Sequence, residues 1–242
     1  MRASSPVFVL LLAALCAAPA QAASDRDPWE KWNRAMWEFD DALDRWFMEP
    51  VAKGYRKVTP MIVDDTISRF FTNLHDFPDA LNLALQGDFR GSSDSLARLV
   101  ANSTVGLGGL MDPAGYLGVA NRDTNFGITL GKWGVPAGNY LVLPFLGPST
   151  VRQTAGLPMD WTLSLEVLPY SIFHEEPVRY YVAGLDLIDR RADLLDFQDA
   201  VIGDRYSFFR DVYLQRTDFD VEGRVSEDPF LDDLPADDSD TH

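Results

Sequence analysis

The chain has 242 residues, 46% of them hydrophobic, and a formal net charge of −16, enough for one sizeable domain. So acidic a balance excludes nucleic acid as a partner, because neutralising phosphates takes clustered Lys and Arg. Ten carboxylates fall from Asp218 onward against one base, Arg224, so much of the acidity sits in a tail and the body is only moderately charged.

The first residues combine Arg2, a short apolar run and A-Q-A at 20–22, the pattern of a secretory signal peptide. Residues 1–22 are expected to be cleaved, leaving a mature chain from Ala23. Cys16 is the only cysteine. It follows Leu15, whereas a lipid-accepting cysteine favours a small residue before it. Cleavage at Ala22 leaves no thiol, so core packing or a membrane must hold the fold without disulfides. No later stretch has 18 consecutive apolar residues, so no spanning helix is predicted. The pattern is helical rather than the alternation of a transmembrane barrel.

Asp27, Pro28 and Glu30 read as a helix start with a capping acid. Trp29, Trp32, Met36, Phe39, Leu43 and Trp46 follow at spacings of three and four, one helical face. Pro50 is expected to stop that helix. Trp37 falls beside the stripe. Four tryptophans between residues 29 and 46 leave two readings for this face, core packing or a membrane interface, where indole concentrates.

Further helices are predicted over 51–57, 63–74, 78–86 with Gly87 as C-cap, and 93–105 with Gly106 as C-cap. Residues 106–115 read as a flexible connector. A helix is expected over 123–133. The stretch 134–156 is rich in Gly and Pro, yet Y-L-V-L-P-F-L (140–146) is almost wholly apolar. Loops at the wet surface are normally polar, so this one is expected to form a hairpin-like wall against helices and lipid. Residues 161–168 are ambiguous. A long helix spans 177–197 and a last one 204–215. Residues 220–242, acidic and bearing Pro229 and Pro235, are predicted to be disordered. The class is all-α, with one domain over 23–219.

Chemical signatures are lacking. None of the three histidines pairs at i,i+4 with another; no G-x-S-x-G, G-x-G-x-x-G or phosphate-loop pattern occurs. No enzyme activity, metal or cofactor is predicted. What remains is an exported helical protein whose amphipathic helices suit a membrane interface.

Several stretches in order carry a resemblance: D-P-W-E-K-W-N-R (27–34), N-L-A-L-Q-G-D (82–88), L-G-G-L-M-D-P-A-G (107–115), F-G-I-T-L-G (126–131), L-P-F-L-G-P (143–148), I-D-R-R-A-D-L-L (188–195) and Y-L-Q-R (213–216). Together they resemble the MlaA family, also called VacJ, of outer-membrane proteins that maintain lipid asymmetry in Gram-negative bacteria. The resemblance implies a ring-like bundle of mostly amphipathic, membrane-interfacial helices around a central channel. It also implies passage of mislocalised phospholipids from the outer leaflet to a periplasmic, MlaC-like lipid shuttle, beside a trimeric porin. Family members typically carry a lipidated cysteine, which the context of Cys16 does not supply.

On that reading Arg122, Asp123, Thr124, Thr129 and Lys132 are candidates to line or gate the channel. Gly138, Tyr140, Val142, Pro144 and Phe145 are candidates in the apolar loop. Trp29, Trp32, Trp37, Phe39 and Trp46 are candidates for the membrane interface. The rival readings are a soluble periplasmic lipid carrier, a lipid-modifying enzyme and a helical scaffold bound to a porin.

Overall fold

The computed structural model describes residues 26–164, 175–196 and 203–222. The expected leader, Cys16, His174, His242 and the acidic stretch beyond Glu222 lie outside them. The described chain is helical apart from one two-stranded antiparallel hairpin.

Helix α1 (Glu30–Leu43) runs through a π-helical turn (Asp44–Met48) into α2 (Glu49–Val58). Pro50 therefore does not stop the helix. It occupies the first turn of α2, where its missing N–H is tolerated, because the wider π turn has already reset the hydrogen-bond register. Asp27 is no cap either. Its buried carboxylate accepts from Asn33 Nδ2 at 2.7 Å, from the Tyr206 hydroxyl and from Arg210 at 3.3 Å. Glu30 pairs with Arg34.

The two helices expected over 63–74 and 78–86 are one, α3 (Met61–Leu85), with Pro78 inside. The helix is buried along α4 (Phe89–Thr104), and tertiary packing outweighs the local penalty of one proline. Gly87, at φ +81°, ends α3 as expected. Asp88 then caps α4 by accepting the Gly91 N–H at 2.8 Å.

The connector over 106–115 is not flexible. Asn102 donates to Asp112 (2.8 Å) and accepts the Ala114 N–H (3.1 Å), while Asp112 caps the short helix α5 (Pro113–Tyr116). Helix α6 (Phe126–Lys132) starts three residues later than predicted, so residues 119–125 are irregular. Strands β1 (Tyr140–Leu143) and β2 (Gly147–Thr150) pair Tyr140 with Thr150 and Leu143 with Gly147. Then come α7 (Val151–Thr162), α8 (Glu176–Asp193), a 3-10 turn (Leu194–Asp196) and α9 (Arg205–Glu222).

These elements close on themselves. α2 packs on α8, α8 on α3, α3 on α6, α6 on α7 and α9, α9 on β2, and the hairpin on α1, which leads back to α2. In such a ring-like wall each side chain packs only against neighbouring helices, so apolar burial is split into three small clusters, around Tyr140/Val142/Tyr206/Leu214, Ala52/Ala192/Leu195 and Phe71/Leu74. Among the described residues eighteen polar or charged residues are buried against thirteen apolar ones. Water-soluble domains show the reverse preference.

Many of the buried polar groups are paired across elements, while others, such as the Ser95 and Tyr140 hydroxyls, have no hydrogen-bond partner. Arg98, 3% exposed, holds Asp76 and Asp112 and donates to the Val119 carbonyl at 2.9 Å. Asp189 accepts from Tyr55 (2.8 Å) and Ser68 (2.9 Å), which ties α8 to α2 and α3. His75 meets Asp186 at 2.9 Å. No helix among the described residues is long and apolar enough to cross a membrane.

Candidate functional site

The apolar loop is a hairpin, and its period-2 alternation decides which side chains face where. Tyr140 and Val142 are fully buried, between α1 and α9. The outer edge of β1 is finished by Asn33: its Oδ1 accepts the Val142 N–H at 2.9 Å and its Nδ2 donates to the Tyr140 carbonyl at 3.1 Å. At the tip, Phe145 adopts φ +68°, an uncommon conformation for a bulky residue. It is held there by the Asp40 carboxylate, which accepts the Phe145 N–H at 2.7 Å, and by edge-on packing against Phe39 at 5.3 Å. Gly147 follows at φ +78°, a conformation that favours glycine.

Opposite the hairpin lies the irregular segment 121–125. The Thr124 N–H donates to Asp79 Oδ1 at 3.0 Å, and the Thr124 hydroxyl accepts from Gln86 at 2.9 Å. Asn125 caps α6 by accepting the Ile128 N–H. The Phe126 N–H donates to Asp160 of α7 at 2.8 Å. Helices α6 and α7 can cross this closely because Gly127 faces Gly156; a Cβ on Gly156 would sit 2.7 Å from the Gly127 nitrogen.

Between hairpin and segment opens a cleft of about 280 Å³ with a mixed lining. Leu143, Leu146, Pro148, Leu157 and Ile128 supply apolar surface; Asp123, Thr124, Asn125, Asp160, Arg216, Thr217 and Asp220 supply polar and charged groups. Asp123 also lines a neighbouring acidic cleft with Asp79, Asp186, Asp189 and His75. With Asp220 it lines a third cleft, which holds Arg122 and Lys132. Burial pushes the carboxyl of Asp79 up to about 8 and raises those of Asp160 and Asp220. Such an amphipathic cleft can hold a molecule that is apolar in part and charged at one end.

The predicted lining residues divide. Arg122, Asp123, Thr124 and Lys132 do line the clefts, on irregular chain and a helix end. Thr129, Tyr140 and Val142 are fully buried and line none of these three clefts; Thr129 bonds Asn82 and Gln86, and the two hairpin residues belong to the core. Gly138, at φ +69°, turns the chain into β1; Pro144 and Phe145 form the exposed tip.

Of the aromatic stripe, Trp29, Trp32, Phe39 and Trp46 are exposed, Trp46 by 88%. Trp37 is not, since its ring packs on Phe209 at 5.1 Å and Tyr206 at 6.4 Å. Asp79, Asp160, Arg216 and Asp220 escaped the sequence reading, because nothing local distinguishes them from solvated helix faces.

The MlaA lipoprotein family profile matches residues 25–220. The intermembrane phospholipid transport system lipoprotein MlaA of Escherichia coli K12 is 33% identical over 204 residues, covering 81% of this chain and 79% of its own length. That of Haemophilus influenzae is 30% identical over 213 residues, covering 86% and 84%. An uncharacterized Rickettsia bellii protein is 32% identical over 200 residues, covering 81% and 77%. A solved structure described as "Structural basis for maintenance of bacterial outer membrane lipid asymmetry" superposes with a TM-score of 0.68 at 33% identity, over 81% of this chain and 98% of that one. Profile, identity over most of both lengths and fold agree, and the chain belongs to the MlaA family.

Proposed function

We propose that this protein is the outer-membrane component of intermembrane phospholipid transport. It takes phospholipids mislocalised in the outer leaflet through an amphipathic passage and hands them to a periplasmic lipid shuttle. The observation that carries the reading is the cleft of mixed apolar and charged lining, set in a ring that leaves many large apolar side chains exposed while burying polar ones. A phospholipid headgroup crosses hydrocarbon only at high cost. The polar lining carries the headgroup while acyl chains follow the apolar surface. No bond is made or broken, so no catalytic group is required.

The exposed Trp32, Trp46, Phe47 and Phe145 hold the ring at the membrane interface. A trimeric porin beside the ring and an MlaC-like shuttle below it are the partners this reading entails. Residues 1–22 serve as export signal and the body, which α9 carries through to Glu222 rather than ending it at 219, as the working domain.

The test is deletion of the gene in the native bacterium, with outer-leaflet phospholipid measured by surface labelling. Deletion should raise outer-leaflet phospholipid and the intact gene should restore asymmetry. Unchanged asymmetry overturns the reading. Recovery of the protein in the periplasmic wash instead of the outer-membrane pellet establishes a soluble carrier.

A further inference from the structure

The polar groups lining the cleft have a charge order that neither lipid passage nor family membership requires. Arg216, on α9, lies between two acids, with Asp123 at 3.6 Å and Asp220 at 3.7 Å. Both separations exceed hydrogen-bond length, so neither carboxylate is tightly engaged with the guanidinium. The Arg216 and Asp123 side chains are about two-thirds exposed, and Asp220 about one-third. Asp160 adds a further carboxylate to the lining of the same cleft, which Leu143 and Leu146 of the hairpin also line.

An open base flanked by open acids has the charge pattern complementary to a zwitterion. A phosphodiester fits the guanidinium, whose planar fork suits phosphate oxygens. A cationic ammonium held a few ångströms from that phosphate then falls among Asp123, Asp220 and Asp160. A headgroup with the phosphate but no ammonium brings no cation of its own to Asp123 and Asp220; Arg122 and Lys132 of the adjoining cleft offset part of that charge, and the remaining like-charge juxtaposition disfavours it.

We infer that Arg216, Asp123 and Asp220 form a headgroup-selecting station that favours zwitterionic, ammonium-bearing phospholipids over anionic ones. The inference rests on the lipid-passage reading and adds a specificity to it. The charges are substantially exposed, so screening keeps the discrimination modest. A preference of about three-fold is expected, which is about 0.7 kcal/mol at 1.4 kcal/mol per tenfold.

The experiment uses the full chain purified in detergent containing equal amounts of phosphatidylethanolamine and phosphatidylglycerol with identical acyl chains. The retained lipids are quantified by mass spectrometry at low and high salt. Wild type should retain the ethanolamine lipid about three-fold over the glycerol lipid, and high salt should shrink the ratio. Asp123→Asn combined with Asp220→Asn should bring the ratio close to one, whereas Asp123→Glu with Asp220→Glu should keep it. Arg216→Gln should reduce retention of both lipids. Thermal unfolding of each variant separates a misfolded chain from a changed preference; should the double amide variant misfold, Asp220→Asn alone must still lower the ratio.

A wild-type ratio of one, or a ratio unmoved by removing the acids, overturns the selection while leaving lipid passage standing. A folded wild type that retains neither lipid overturns both.

Discussion

Asn33 is the residue whose loss the structure makes most costly for its size. It is fully buried and stands where a third strand would, bonding the Val142 N–H and the Tyr140 carbonyl as well as Asp27. Asn33→Ala strands two backbone groups beside side chains that are fully buried, while Asp27 keeps Tyr206 and Arg210. An orphaned buried group costs about 1–3 kcal/mol, so the pair costs roughly 4 kcal/mol. At about 2–4 °C per kcal/mol for a domain of this size, the apparent melting temperature in detergent should fall by about 8–16 °C. Asn33→Asp should fall further: it keeps the acceptor for Val142, but sets a second carboxylate against Asp27. A drop of less than about 2 °C for Asn33→Ala would refute the idea that this side chain completes the edge of β1.

Asp79 should make stability pH-dependent. Its carboxyl is raised to about 8 by burial, so the folded state holds a proton the unfolded state has lost, and this group's contribution declines from about pH 4 to about pH 8. Asp79→Asn, which keeps an oxygen for the Thr124 N–H, should be more stable than wild type at pH 8 and equal to it near pH 4. Asp76, raised to about 6 by burial despite Arg98, contributes to the slope left between about pH 4 and 6, together with the other carboxyls that burial raises, such as Asp160 and Asp220; an unchanged pH profile on Asp79→Asn counts against the assignment.

Gly156→Ala should cost about 1–3 kcal/mol by overpacking the α6–α7 crossing. Gly184→Ala, in α8 with no atom within 4 Å of the added Cβ, should gain about 0.5–1 kcal/mol; equal effects in urea unfolding would deny the close crossing. Trp32→Ser with Trp46→Ser should weaken outer-membrane retention without lowering the melting temperature in detergent. Trp37→Ser should lower it, because only Trp37 packs on Phe209 and Tyr206, and the reverse pattern would exchange their roles.

Much of the helical content was legible from local signals. The i,i+3/i+4 stripe marks α1, the long helix expected over 177–197 is found as α8, and Gly87 places the end of α3 to within one residue. These signals depend on neighbours within one or two turns, so they survive without tertiary information. One local signal was present and overlooked: Thr150 followed by Gln153 before an amphipathic run is a capping box, and Thr150 does accept the Gln153 N–H at 3.2 Å, starting α7 where a loop was expected. The apolar hairpin was legible as a wall but not in its facing, because alternation separates two faces without saying which partner covers each. Only α1 and α9, packed on Tyr140 and Val142, settle that.

The same limit applies to proline and to charge. Local rules break a helix at Pro50 and again at Pro78. The fold keeps both segments helical, because burial along α4 and α8 returns more than one missing hydrogen bond removes. Asp27, Asn33, Asp76, Asp79 and Arg98 look in sequence like solvated polar residues. Their partners lie up to 183 positions away, and no periodicity within one element encodes such a pairing. The cleft is a product of the tertiary structure for that reason. Leu143 and Leu157 come from one arm of the chain, Arg216 and Asp220 from another, and only ring closure brings these apolar and charged side chains to one cleft.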